Sequence, residues 1–175
     1  MPSSIFHPPS SLGFIALGSN LGDSAKILRD AMTRLQKLSD EPILKSSLWH
    51  TTPVDCPPGA PNFVNAVVGL VPQIKETPES LLEKLRELER EFGRLPKKIL
   101  NEPRPLDLDL IAFCNVTCNT PHLTLPHPRT GMRRFVLQPL SEIAPDLILP
   151  GQTKTVSQLL AQLPPTDSVE RRDQP

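Results

Sequence analysis

Twenty-two prolines among 175 residues constrain this chain more than any other feature. Each proline fixes its own φ and removes a backbone donor, so helices and strands must be short enough to fit between them. The prolines punctuate apolar runs and do not form a low-complexity block, which reads as structured loops between short elements. The length suits one domain with its own core. Nineteen basic residues balance nineteen acidic ones, so no global field draws the molecule to nucleic acid or to an anionic membrane. No apolar run approaches the roughly 18–20 residues of a membrane span. The opening MPSSIFHPPSSLG lacks a basic start followed by an apolar stretch and reads as a tail, not a signal peptide. The expected organisation is a disordered tail over 1–11, one domain over 12–163, and a second disordered tail over 164–175, with a cytoplasmic location. Cys56, Cys114 and Cys118 are odd in number and form no zinc pattern, so they read as buried or idle thiols.

Along the chain, Gly13–Gly18 is a short apolar run that reads as a strand, closed by a turn through Asp23 suited to cap a helix. Ile27, Leu28, Ala31, Met32, Leu35 and Leu38 fall at helical spacing, which predicts an amphipathic helix over 24–38. Ile43–Thr52 and Phe63–Val71 read as strands. Between them Pro53–Pro61 is too proline-rich for either element. Thr77-Pro78-Glu79 has the composition of a helix start, and Leu81, Leu85, Leu88 and Phe92 make the buried stripe that Gly93 ends. Leu106–Phe113 has strand length and alternation, Thr120–Pro150 reads as loop with a short apolar segment at 135–140, and a weak helix follows over 155–163. The order βαββαβ predicts an α+β, ferredoxin-like domain: a four-stranded, mainly antiparallel sheet with helices on one face, plus a C-terminal extension.

The chemistry concentrates on Asp107 and Asp109. On a strand, residues two apart share a face, so both carboxylates project together while Leu106, Leu108 and Leu110 pack the other side. Two adjacent carboxylates suit Mg²⁺, which takes one or two protein oxygens and fills its octahedron with water and phosphate. The alternative is a strand face that merely carries acids, at a cost in stability unless something cationic lies over it. Upstream, Arg94, Lys97, Lys98 and Arg104 read as a phosphate-binding segment or as a solvated basic loop. His127, Arg133 and Arg134 make a second basic group. There is no P-loop and no GxGxxG.

Gly18-Ser-Asn-Leu-Gly22, Thr52-Pro53, Phe63-Val-Asn65, Pro103-Arg-Pro-Leu-Asp-Leu-Asp-Leu110, Leu123-Thr-Leu-Pro-His127 and Pro139-Leu-Ser-Glu-Ile-Ala-Pro145 together resemble, in order and spacing, the motifs of the 6-hydroxymethyl-7,8-dihydropterin pyrophosphokinase family of folate biosynthesis. The resemblance runs from about Phe14 to Pro150. It implies transfer of diphosphate from ATP to 6-hydroxymethyl-7,8-dihydropterin, giving AMP and the pterin diphosphate, by a monomer. By resemblance, Asp107 and Asp109 hold two Mg²⁺ ions with ATP, and Arg94 and Arg104 are catalytic. Arg94, Lys97, Arg104, Leu110, Thr124, His127 and Arg133 are then the ATP contacts. Phe63 and Phe135 would sandwich the pterin, with Asn65, Thr52, Pro53 and Asp55 at its edge. Glu89 matches a family position of open role. Many family members carry a basic residue, a Trp and a Gly where this chain has Leu100, Asn101 and Glu102, which implies altered loop closure. Rival readings are a homologue that binds without transferring, and an RNA-binding module on the same fold; the paired acids and zero net charge oppose the latter.

Overall fold

The computed structural model describes residues 8–96, 98–165 and 169–173. Strand β1 (Gly13–Ser19) lies inside the sheet, antiparallel to β4 (Phe63–Leu70) on one side and β5 (Asp107–Phe113) on the other. It is apolar almost throughout because both of its faces are covered. On one face pack α1 (Ser24–Leu35) and α2 (Pro78–Glu91), burying Leu28, Met32, Leu35, Leu81 and Leu85 against Ile15, Leu17, Leu108 and Leu110. Asp23 caps α1 by accepting from the Lys26 N–H at 3.1 Å. Thr77 and Ser80 form a reciprocal capping box at the start of α2. The order β5-β1-β4-β3 is that of the expected ferredoxin-like domain, and no helix of the described residues is long and apolar enough to cross a membrane.

The second strand divides into β2 (Leu44–Lys45) and β3 (Leu48–Thr51), whose registers on β4 differ by one residue. Ser46 makes the step. Its N–H donates to the Val67 carbonyl at 3.0 Å, and its hydroxyl accepts from the Val67 N–H at 2.9 Å, standing in for a ladder carbonyl.

Two expectations are corrected. The 120–150 segment, read as loop, contains β7 (Thr124–Leu125), which pairs with β6 (Cys118–Asn119) just before it, and then helix α3 (Arg134–Ile143) with Pro139 inside it. A mid-helix proline removes one backbone bond. Burial of Val136, Leu137 and Leu140 on the second face of the sheet outweighs that loss, and together with α4 (Val156–Gln162) it builds a second core around Phe14, Val67 and Ile111. The tail expected over 164–175 contains strand β8 (Val169–Asp173), paired antiparallel to β3. The open edge of β3 supplies unpaired backbone groups, and pairing with them asks nothing of the charged side-chain sequence Glu170-Arg-Arg-Asp173. Of the N-terminal tail, residues 1–7 lie outside the described residues, while Pro9–Ser11 form a single 3₁₀ turn. Residues 166–168, 174 and 175 of the C-terminal tail also lie outside them.

The outer edge of β5 is closed by side pieces that also deliver functional groups. The Glu89 carboxylate of α2 accepts from the Leu108 N–H at 2.7 Å, and the His127 N–H donates to the Ile111 carbonyl at 2.8 Å. If α3 carries a true second core, Leu137→Ala should lower stability by about 2–4 kcal/mol, measured by urea denaturation. A loss near zero would mean that α3 merely lies on the sheet.

Candidate active site

The cleft opens at the end of the sheet where β1 finishes, on the face opposite α1 and α2. Register places Gly18 between Asn65 on β4 and Asp107 on β5. A Cβ at Gly18 would stand 3.0 Å from Asn65 Oδ1 and 3.7 Å from the Phe63 ring, so glycine here keeps the floor of the cleft flat. Asp107 and Asp109 rise from β5 on the cleft side while Leu106, Leu108 and Leu110 are buried behind them. The alternation expected from the sequence therefore holds.

Each acid is met by an arginine that also covers an aromatic ring. Arg104 Nη2 lies 2.9 Å from Asp107, and its guanidinium stands 5.4 Å from the Phe63 centroid. Arg133 lies 3.6 Å from Asp109 and 5.5 Å from the Phe135 centroid. Arg94 adds a second cation to Asp107 at 2.5 Å and also pairs with Glu89. The position of Arg94 follows from the end of α2. Gly93 at φ +89 allows a turn in which the Gly93 N–H bonds to the Arg90 carbonyl and the Arg94 N–H to the Glu89 carbonyl, folding Arg94 back over the helix end.

The two acids are driven in opposite directions. Burial acts to raise the Asp107 pKa, but the Arg104 and Arg94 guanidiniums outweigh it and hold the carboxyl below its ordinary range. Burial, and then the negative charge of Asp107, push Asp109 above that range, with His127 and Arg133 offsetting only part. Burial also raises Glu89 against the Leu108 N–H and Arg94. For His127, burial lowers the pKa against the pull of Asp109. Its Nδ1 accepts from the Arg129 N–H at 3.2 Å, which assigns the proton of the neutral ring to Nε2 and leaves that nitrogen as a donor.

The cleft encloses about 870 Å³, inside the rough range of 300–1,000 Å³ for small-molecule sites. Of the residues singled out in the sequence, Arg94, Arg104, Asp107, Asp109, Leu110, Thr124, His127, Arg133, Thr52, Asp55, Phe63, Asn65 and Phe135 all line it. Pro53 does not, although its neighbours Thr52 and Val54 do. Lys97 lies outside the described residues. Glu102 turns into its own loop, where its carboxylate accepts from the Lys98 N–H at 3.1 Å.

Three contributors escaped the sequence reading. Thr51, a neighbour of the proposed Thr52, has its hydroxyl bonded by Asn65 Nδ2 at 2.5 Å, which fixes the amide in the cleft. Glu89 was noticed without a role, and its role is the double contact to Arg94 and β5. Asn20 is buried and links two loops: its Oδ1 accepts from the Arg104 N–H at 2.9 Å, and its Nδ2 donates to the Pro61 carbonyl at 3.3 Å. The glycine-bounded motif around Asn20 was the available signal.

No group of three or more His, Cys, Asp or Glu side chains is placed to hold a metal among the described residues. The donor set is therefore the carboxylate pair alone, which fits a hard cation that completes its shell with water and phosphate and does not fit zinc. Arg104 Nε is buried without a partner among the described residues, a donor free for an anion in the cleft.

The family model described as 7,8-dihydro-6-hydroxymethylpterin-pyrophosphokinase (HPPK) matches residues 14–145. The 2-amino-4-hydroxy-6-hydroxymethyldihydropteridine pyrophosphokinase of Synechocystis is 36% identical over 149 residues, covering 85% of this chain and 74% of the relative. The Haemophilus influenzae protein of the same name is 34% identical, covering 85% and 91%. The folic acid synthesis protein fol1 of Schizosaccharomyces pombe is 31% identical over 89% of this chain, which spans only 21% of that longer protein. Among solved structures, wild-type Plasmodium falciparum HPPK-DHPS with pteroate superposes with a TM-score of 0.67 at 14% identity. The match covers 86% of this chain and 42% of that one, so the chain spans less than half of the solved relative. At that identity the likeness speaks for the fold.

The opposed acids predict stability changes of opposite sign. Asp107 ionises more readily in the folded protein, so its charge stabilises the fold above the ordinary carboxylate pKa, and the contribution is lost as pH falls. Asp109 ionises less readily, so its charge destabilises the fold at neutral pH and ceases to do so once it is protonated. Asp107→Asn should cost about 2 kcal/mol at pH 7. Asp109→Asn should raise Tm at pH 7, with a gain that shrinks on acidification. Thermal melts at pH 7 and pH 4 check both.

Proposed function

The chain belongs to the 7,8-dihydro-6-hydroxymethylpterin-pyrophosphokinase family, ATP-dependent diphosphotransferases of folate biosynthesis, and we propose how its cleft divides the work of that reaction. The pterin hydroxymethyl oxygen attacks the β-phosphorus of ATP. The bond from that phosphorus to the α,β-bridging oxygen breaks, AMP leaves, and the pterin carries away the diphosphate.

Asp107 and Asp109 hold Mg²⁺. An ATP-using kinase family implies that metal in general, and our reading assigns two ions to this carboxylate pair. When bound, the metal supplies neutralisation of phosphate charge and alignment of the attacking and leaving oxygens. Arg104 and Arg94 transfer their charge from Asp107 to the phosphates, where the unpartnered Arg104 Nε gives an additional donor. Phosphoryl transfer rests mainly on such positioning and charge stabilisation. Arg133 moves likewise from Asp109. His127 donates through Nε2, with Leu110 and Thr124 completing the ATP side.

Phe63 and Phe135 form the pterin slot. A planar guanidinium already lies over each ring, which supports the reading that these faces accept a flat polar heterocycle. Asn65, oriented by Thr51, reads the polar edge of the pterin, with Thr52 and Asp55 bounding it.

The observation that supports this reading is the pair of Phe–Arg–Asp stacks, in which an aromatic ring, a guanidinium and a carboxylate adjoin one another twice over. The test is to incubate the protein with ATP, Mg²⁺ and 6-hydroxymethyl-7,8-dihydropterin and resolve the nucleotides. AMP should appear one-for-one with the pterin diphosphate, and only with metal; ADP as the product would refute the assignment. Arg104→Ala should lower kcat by about 100-fold or more while KM for ATP stays within about threefold. The reverse split would reduce Arg104 to a phosphate anchor.

A further inference from the structure

The loop carrying Arg104 and the loop 53–61 face one another across the mouth of the cleft and are joined at two levels. At the base, buried Asn20 bonds to both, through the Arg104 N–H and the Pro61 carbonyl. At the tip, Asn101 Nδ2 donates to the Asp55 carbonyl at 2.7 Å. Asn101 sits at φ 55 and Asp55 at φ 54. The left-handed region is one that Asn and Asp enter more readily than other side chains, so both ends of the tip contact are bent by residue types suited to the bend. Leu100 and Val54, the preceding neighbours of the bonded pair, also line the cleft, with much of their apolar surface still exposed. Phe63, which begins β4 just after the loop 53–61, lines the same cleft with Arg104 over its ring.

We infer that Asn101 is a positioning residue, a side-chain clasp that draws the loop 53–61 over the pterin side of the cleft and slows escape of the bound ring. The inference rests on the proposed pterin slot. The base contact runs through the buried Asn20, with one hydrogen bond to each loop. The tip contact is one exposed hydrogen bond, strong enough to bias the mouth toward closure and weak enough to release product. It acts on the ring-binding loop and leaves the acids and phosphate-binding arginines untouched, so its signature is a selective effect on the pterin.

The test uses two variants of the full chain. Asn101→Gly keeps access to positive φ and deletes the donor. Asn101→Asp keeps shape and backbone preference but presents an acceptor to the Asp55 carbonyl. In both, KM and the dissociation rate for 6-hydroxymethyl-7,8-dihydropterin should rise about 3–10-fold, with KM for ATP within about twofold. Amide hydrogen exchange over 53–61 should quicken in the ligand-free variants. Unchanged pterin dissociation together with unchanged exchange overturns the clasp. Faster exchange with unchanged pterin dissociation also overturns it, showing a contact with no hold on the ligand. Failure of the wild-type chain to bind the pterin at all overturns the functional reading instead, and exchange over 53–61 still decides whether Asn101 ties the loops.

Discussion

Everything in the cleft depends on placing two carboxylates, one residue apart, on the same face of a strand. Like charges so arranged repel, and burial raises the cost of ionising both. The protein surrounds them with three guanidiniums, and the unequal sharing of that charge splits the pair into one strongly stabilised acid and one poised acid. Asp107 receives two arginines and Asp109 a single longer contact. Around this pair the secondary structure has a clear purpose. The Gly93 turn returns Arg94 to the site, Glu89 holds both Arg94 and the free edge of β5, and the backbone of His127 closes the same edge further along. A strand edge that would otherwise invite pairing is covered by the elements that bring charged side chains to the cleft.

The rings and charged groups of the cleft are mostly paired with one another. The rings of Phe63 and Phe135 are covered by guanidiniums, and the guanidiniums are neutralised by aspartates. In the proposed reading, binding exchanges these contacts for those of the substrates: a phosphate that draws Arg104 away exposes Asp107 to a cation and Phe63 to a ring. That reading predicts that affinity for each ligand is coupled to the presence of the others through shared partners.

Much of this was legible in the sequence because it obeys short-range periodicity. Alternation across 106–113 put both acids on one face, helical spacing found α1 and α2, and the threonine-proline start of α2 marked its cap. What was not legible arises from tertiary contacts. Helix α3 hides behind Pro139, whose penalty is outweighed only by burial on a sheet face that the sequence does not reveal. Strand β8 forms from a charged segment because the edge of β3 offers backbone partners. Thr51 was passed over for its neighbour Thr52, since β3 is too short for alternation to decide which threonine faces the cleft. Asn20 works through two loops distant in sequence; its glycine-bounded motif marks a turn without naming the partners it bridges. The substitutions at 100–102, which read as a departure from the family, include Asn101, whose side chain bonds to the Asp55 carbonyl of the facing loop.

The central claim is that the paired acids are held apart in charge state by their arginines. The most direct test is to follow the Asp107 and Asp109 carboxyl carbons by NMR across a pH titration of the ligand-free protein, assigning each by its Asn variant. The expected result is Asp107 titrating below the ordinary aspartate range and Asp109 above it. Both titrating together near the ordinary value of about 3.9 would mean that the guanidiniums do not stand over Asp107 in solution, and the proposed exchange of partners on binding would have no starting point.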